Sequence, residues 1–163
     1  MSREIDNSKT AERVAVPVSV DSSALKTATL EVIKAAAGVI DITKANILVL
    51  AGGGIGSREN LSLVQELAEA SRGSISCSRS VADIGWLTSE YQVGISANYV
   101  TSNIYIACGI SGASQHVTAM RDSGLIIAVN KDANAPILWV AHYGIVSDLF
   151  EVVPALIKKA REQ

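Results

Sequence analysis

The chain is poor in aromatic side chains, in cysteine and in surplus basic charge, and each shortage removes a class of function. Phe, Trp and Tyr make up 4% of the 163 residues. That is too few for the aromatic platforms on which single-stranded nucleic acid stacks. Lysine and arginine number 14 against 16 acidic residues, a net charge of −2. A nucleic-acid surface needs clustered cations, so no nucleic-acid partner is expected. No apolar run reaches the roughly 20 residues of a membrane-spanning helix, so no membrane insertion is expected. The only cysteines, Cys77 and Cys108, are far apart and lack metal-ligand spacing. They read as buried reduced thiols. The polar N-terminus lacks the apolar stretch of a secretory signal, so secretion is not expected.

What is present is a large apolar share, 48%, against 18% charged residues. The length suits one domain, read as residues 21–163 behind an N-terminal arm of residues 1–20. Residues 14–20 alternate like a strand, with Pro17 favouring an edge position. That arm reads either as a strand that pairs with a neighbour or as a disordered lead-in. Asp21 or Ser22 caps a helical pattern that Gly38 ends. Five apolar runs then read as strands: 46–51, 74–78, 104–108, 125–129 and 137–141. Amphipathic helices are expected after residue 60, from Ala113, and from about Val146 to Arg161, with Pro154 opening a second helical piece. Strands alternating with helices predict an α/β fold, an open parallel sheet with helices on both faces.

The polar signals follow the strands. They are Gly52–Asn60, Ser78-Arg79, Gly109–His116, Asn130–Asp132 and His142. Loops after strand carboxyl ends open on one edge of such a sheet and converge on a ligand. The stretch Ile106–His116 centres this pattern: an apolar strand, a turn with Gly109 and Gly112, then a helix start suited to phosphate. Gly52-Gly53-Gly54 reads as backbone that passes close to a ligand or to a neighbouring helix. It lacks the later glycine spacing of a dinucleotide fingerprint and has no Walker lysine. Arg79 stands just past a strand end; it reads as a ligand contact or as an ion pair with Asp83.

Several stretches together resemble one family. They are Ser78-Arg79-Ser80-Val81-Ala82-Asp83-Ile84-Gly85-Trp86, Gln92-Val93-Gly94, Gly109-Ile110-Ser111-Gly112-Ala113-Ser114-Gln115-His116, Asn130-Lys131-Asp132-Ala133-Asn134-Ala135-Pro136-Ile137 and Tyr143-Gly144-Ile145-Val146. In order and spacing they are similar to the FAD-binding C-terminal domain of the electron transfer flavoprotein α subunit. The resemblance implies a nucleotide-binding α/β sheet of the deoxyhypusine-synthase-like NAD/FAD-binding type and one bound FAD. It also implies an electron carrier without substrate turnover of its own, working with a β-type subunit. Electron donors would be acyl-CoA or other dehydrogenases. The setting would be the bacterial cytoplasm or the mitochondrial matrix.

Carried onto this sequence, the resemblance places Arg79 against the flavin ring with Ser78 beside it, and Gln92, Val93 and Gly94 in the wall. Ser96 falls where the family has threonine, near flavin N5. His116 would face the flavin O2 edge, with Gln115 and Ser111 toward the ribityl–phosphate part, and Gly109 and Gly112 in the turn. Asn130, Lys131 and His142 would line the adenosine side. Reduction gathers negative charge at N1 and O2, so a cation and a hydrogen-bonding imidazole there favour it.

The sequence departs from the pattern in four places. No stretch of these 163 residues is expected to supply the family's N-terminal domain. Gly53 stands for an arginine, Asn98 for a lysine, and His142 for an acid. These changes motivate an alternative expectation, a non-redox adenine-nucleotide or assembly module of the same fold. A nicotinamide dehydrogenase is disfavoured, because no acid follows the glycine loop at the distance that would hold a ribose.

Overall fold

A computed structural model describes residues 41–162. The expected N-terminal strand, the helix that Gly38 ends and the boundary at residue 20 lie outside the described residues. The rest forms five parallel strands: β1 (Ile47–Ala51), β2 (Ser74–Cys77), β3 (Ile104–Cys108), β4 (Leu125–Asn130) and β5 (Tyr143–Val146). Among the described residues they form one sheet in the order β2-β1-β3-β4-β5. The helices are α1 (Leu61–Ala70), α2 (Arg79–Asp83), α3 (Ser114–Met120), α4 (Ile137–Val140) and α5 (Leu149–Arg161).

Alternation along the strands divides the core into two layers. Leu48 and Leu50 of β1, Tyr105 and Ala107 of β3, and Ile126 and Ala128 of β4 face one side. There they meet Ala119 and Met120 of α3 and Ile137 of α4. Val49, Ala51, Ile106, Cys108 and Val129 face the other side. They meet Val64, Leu67 and Ala68 of α1, Val81 of α2, and Leu149, Val153 and Ile157 of α5. Leu149, Val153 and Ile157 recur every four residues, the stripe an amphipathic helix presents to a sheet. Both cysteines are buried free thiols, and burial pushes each up to about 12.

The strand order fixes where a ligand site can form. The chain leaves β1 for β2, then crosses back over β1 to β3. The loops after β1 and β3 therefore diverge to opposite sides and open a crevice at the carboxyl edge between them. In open α/β sheets that switch point is the ligand position.

Two expectations need correction. The run 137–141 is not a strand; Ile137–Val140 forms one helical turn, and the last strand lies later, at Tyr143–Val146. Pro136 precedes the turn with helical φ. Ile137 is buried, whereas Trp139 is 77% exposed. Two positions apart in a strand they would share a face. Among the described residues β5 pairs with β4 alone and is mostly exposed, so its sequence need not be apolar. Second, Pro154 opens no new helix. It sits inside the continuous helix α5, on the exposed side. The N–H it lacks would have bonded the carbonyl of Phe150, itself 44% exposed, so water can take that place.

These burials make a pair of outcomes that separate the helical turn from a strand. Ile137→Ala should cost about 2–4 kcal/mol in denaturant unfolding. Trp139→Ala should change stability by no more than about 0.5 kcal/mol. Equal large losses at both positions would restore the strand.

Candidate functional site

The carboxyl edge is built by close backbone contact. The ladder of β1, β2, β3 and β4 continues past the strand ends: Gly52 N–H donates to Cys108 C=O at 2.8 Å, Gly54 N–H to Gly109 C=O at 2.9 Å, Ser78 N–H to Ala51 C=O at 3.0 Å and Gly109 N–H to Val129 C=O at 2.9 Å. A Cβ on Gly52 would lie 2.3 Å from the Gly109 carbonyl oxygen, and one on Gly54 would lie 2.8 Å from Gly109 Cα. Gly112 has φ +87°, and a Cβ there would meet Ile137 N at 2.3 Å. These glycines are needed because the loops touch one another and α4, not a neighbouring helix packed on the triple glycine. Gly53 differs: a Cβ there meets only the Ser80 side chain, at 3.2 Å.

Between these loops lies a cavity of about 530 Å3, within the roughly 300–1,000 Å3 of small-molecule sites. Ser78, Arg79, Gln92, Val93, Gly94, Ser96, Gly109, Ser111, Gly112, Gln115 and His116 all line it. A smaller hollow of about 60 Å3 shares Gly54 and Gly109 with the larger one and is lined by Asn130, Lys131, Asp148, Leu149 and Phe150. Thirteen of the fourteen residues singled out in the sequence therefore stand around two adjoining cavities.

His142 does not. It directly precedes β5, so it lies at the amino-terminal edge, opposite the cavities. Its N–H donates to Ile126 C=O at 2.8 Å, and its Nδ1 accepts from Ile126 N–H at 3.0 Å. Placing the last strand six residues early had moved His142 to the wrong end of the sheet. The acidic residue on the second cavity is Asp148, at the start of α5. Its carboxylate caps α5 by accepting from Phe150 N–H at 2.8 Å. The usable signal was its position just after the true last strand. Ser80, Gly53 and Ile95 also line the larger cavity without having been singled out as site residues.

The polar side chains divide into those already committed and those left free. Arg79 Nε lies 3.2 Å from Asp83 Oδ2, both exposed. The ion-pair reading of Arg79 thus holds, and that pair leaves the terminal N–H groups of the guanidinium as donors beside the cavity that Arg79 lines. The Ser78 and Ser80 hydroxyls bond each other at 2.9 Å. Asn130 Nδ2 donates to Ile110 C=O at 2.8 Å, and its Oδ1 accepts from Asp132 N–H at 3.0 Å. Asn130 therefore ties the β4 loop to the β3 loop. Asn98 donates to the carbonyls of Glu90 and Gln92, each at 3.0 Å, and knots the loop that carries Gln92–Ser96.

His116 is 6% exposed. Its Nδ1 lies 3.1 Å from Val93 C=O and its Nε2 lies 2.7 Å from Tyr105 Oη. A carbonyl only accepts, so Nδ1 carries the proton. Nε2 is then an acceptor, and the Tyr105 hydroxyl donates to it. Both ring nitrogens are taken by protein groups, while the residue lines the cavity. Burial holds the imidazole down at about 4, against an ordinary 6.5, with the Val93 bond opposing. Among the described residues no buried side-chain polar atom lacks a partner, and no cluster of His, Cys, Asp and Glu could hold a metal.

The His116 shift sets a pH window. Below 6.5 the unfolded chain takes up a proton that the folded chain refuses until about pH 4. This contribution is complete above pH 6.5 and is lost as pH falls toward 4, by about 3 kcal/mol. In urea unfolding, the stability difference between the protein and a His116→Gln variant should shift by about that amount, to the variant's advantage, from pH 7 to pH 4. A difference constant with pH would contradict the buried neutral ring.

Comparisons with known proteins agree with this geometry. Residues 41–121 match the family model described as the electron transfer flavoprotein FAD-binding domain. The chain is 48% identical over 147 residues to "Protein FixB" of Clostridium saccharobutylicum, covering 90% of this chain and 44% of that protein. It is 40% identical over 157 residues to the electron transfer flavoprotein subunit alpha of Thermoanaerobacterium thermosaccharolyticum, covering 96% and 48%. To the acryloyl-CoA reductase electron transfer subunit beta of Anaerotignum propionicum it is 42% identical over 148 residues, covering 89% and 40%. The chain spans less than half the length of these relatives. With the parallel sheet, the glycine-packed switch point and the matched residues in hand, this chain belongs to the electron transfer flavoprotein α-subunit family, as its FAD-binding domain.

Proposed function

We propose that this chain binds one FAD at the carboxyl edge between β1 and β3 and serves as an electron carrier through it. The observation that carries the reading is the convergence of loops from β1, β2 and β3, with the Gln92–Ser96 loop, on one cavity of about 530 Å3. A second hollow continues across Gly54 and Gly109, as an elongated dinucleotide requires. The donor set suits such a ligand: hydroxyls of Ser78, Ser80, Ser96 and Ser111, amides of Gln92 and Gln115, and the cations Arg79 and Lys131.

Bound flavin would supply the redox chemistry, and the protein would supply binding, orientation and electrostatics. Ser78 and Arg79 hold the flavin end, with the guanidinium placing positive charge beside the ring. Gln92, Val93, Gly94 and Ser96 close one wall and exclude water from it. Ser111 and Gln115 orient the linking chain. Lys131 and Asp148 flank the smaller hollow, where the adenosine side would lie, while Asn130 fixes the loop between the two hollows. His116, with both nitrogens engaged, acts on the wall and not as an N–H donor to the ligand. Electrons would come from a dehydrogenase, with a β-type subunit completing the carrier. The setting would be the bacterial cytoplasm or mitochondrial matrix.

Purified protein mixed with FAD and desalted should keep a flavin absorbance spectrum. Arg79→Ala should weaken FAD binding about 10–100-fold, the loss of one charge-assisted contact. It should leave the melting temperature nearly unchanged, because an exposed ion pair contributes little. Gly53→Arg, whose Cβ would press on the Ser80 hydroxyl at 3.2 Å and need it to give by a few tenths of an ångström, should tighten binding. A protein that refuses FAD, or an affinity indifferent to Arg79, would overturn the reading in favour of a colourless nucleotide module.

A further inference from the structure

The Gln92–Ser96 loop contributes five successive residues to the larger cavity, yet it belongs to no strand or helix. Its contacts show what holds it. Val93 N–H donates to Cys77 C=O at 2.9 Å, Gly94 N–H to Asn98 C=O at 3.1 Å, and Ile95 N–H to Gln115 C=O at 3.2 Å. Among the described residues the carbonyl of Val93 has one partner, His116 Nδ1, and Val93 is itself buried. Beyond His116 stands Tyr105, fully buried on β3, the central strand. Its ring meets the imidazole edge-on, with centroids 6.2 Å apart. A chain of two hydrogen bonds thus runs from the middle of the sheet to the cavity wall.

Directionality makes the chain one-way. The Val93 carbonyl can only accept, so the imidazole must donate from Nδ1 and accept at Nε2. The Tyr105 hydroxyl must then donate to Nε2. In a low-dielectric interior, a donor on Nε2 polarises the ring and strengthens the Nδ1–H bond to Val93. From this geometry we infer that Tyr105 is a positioning residue: through His116 it holds the Gln92–Ser96 loop in the place where that loop forms the cofactor wall. The inference names a residue that lines neither cavity. Its consequence for FAD rests on the flavin reading above.

The experiment is Tyr105→Phe, which keeps the ring and removes the donor. In protein without added ligand, ring ¹⁵N spectra should show His116 protonated at Nδ1 and unprotonated at Nε2. In the variant the Nε2 signal should move, and amide hydrogen exchange at Val93, Gly94 and Ile95 should quicken about tenfold, the loss of about one buried hydrogen bond. Exchange in β3 and β4 should stay as it was, which a general loosening would not allow. His116→Leu should quicken the loop as well, whereas His116→Gln, able both to donate and to accept, should restore part of the protection. A wild-type ring protonated at Nε2 overturns the inference even if the Phe variant fails to fold. So does loop exchange indifferent to Tyr105→Phe. FAD titration then reads the second level: affinity about tenfold weaker in Tyr105→Phe extends the effect to the cofactor. If wild-type protein takes no FAD while the loop still loosens, the flavin reading falls and the positioning role stands.

Discussion

The ligand edge depends on how closely the loop after β1 approaches the loop after β3. Gly52 and Gly54 lie against the backbone of Gly109 at distances that admit no Cβ, and two N–H donors cross that contact to Cys108 and Gly109. Strand order sends the chain to opposite sides after these two strands, so without the glycine contact the crevice would gape. With it, the two loops form a continuous floor, and both cavities rest on Gly54 and Gly109. The glycine cost in unfolded-chain entropy is offset by a floor made of backbone, which no side-chain rotamer can disturb.

The remaining polar groups prepare the site before a ligand arrives. Asn130 spends its amide on the β3 loop, Asn98 on its own loop, and His116 on Val93 and Tyr105. Committed groups of this kind fix the walls, and the less committed groups, Arg79, Ser96, Ser111 and Lys131, face the hollows they line. Ordering paid during folding need not be met again on binding, which is the physical advantage of a prepared site. It also explains why an imidazole held near 4 suits this position: a cationic ring could not accept from Tyr105 at Nε2.

How much of this was legible in the sequence follows from burial. β1, β3 and β4 are buried on both faces and read as uninterrupted apolar runs, so they were found nearly residue by residue. β5 is an edge strand whose Tyr143, Gly144 and Val146 are exposed, and it carries no such run. The apolar stretch before it is a helical turn that buries Ile137 alone among its four residues. That single displacement moved His142 to the ligand edge and hid Asp148. The loop residues were legible as a group because they follow strand ends and resemble a known family. The commitments of their side chains were not. Nothing in the spacing of Tyr105, His116 and Val93 announces a hydrogen-bond chain, since it joins a strand, a helix and a loop through tertiary packing.

The central claim is a place: the switch point between β1 and β3 at the carboxyl edge of the sheet. An amide chemical-shift map recorded during FAD titration tests it most directly. The account predicts shifts at Gly53, Gly54, Ser78, Gly94, Ser111 and Gln115, with a second group at Lys131, Leu149 and Phe150, and none at Ile126 or His142. Shifts centred on Ile126 and His142, at the amino-terminal edge, would contradict it.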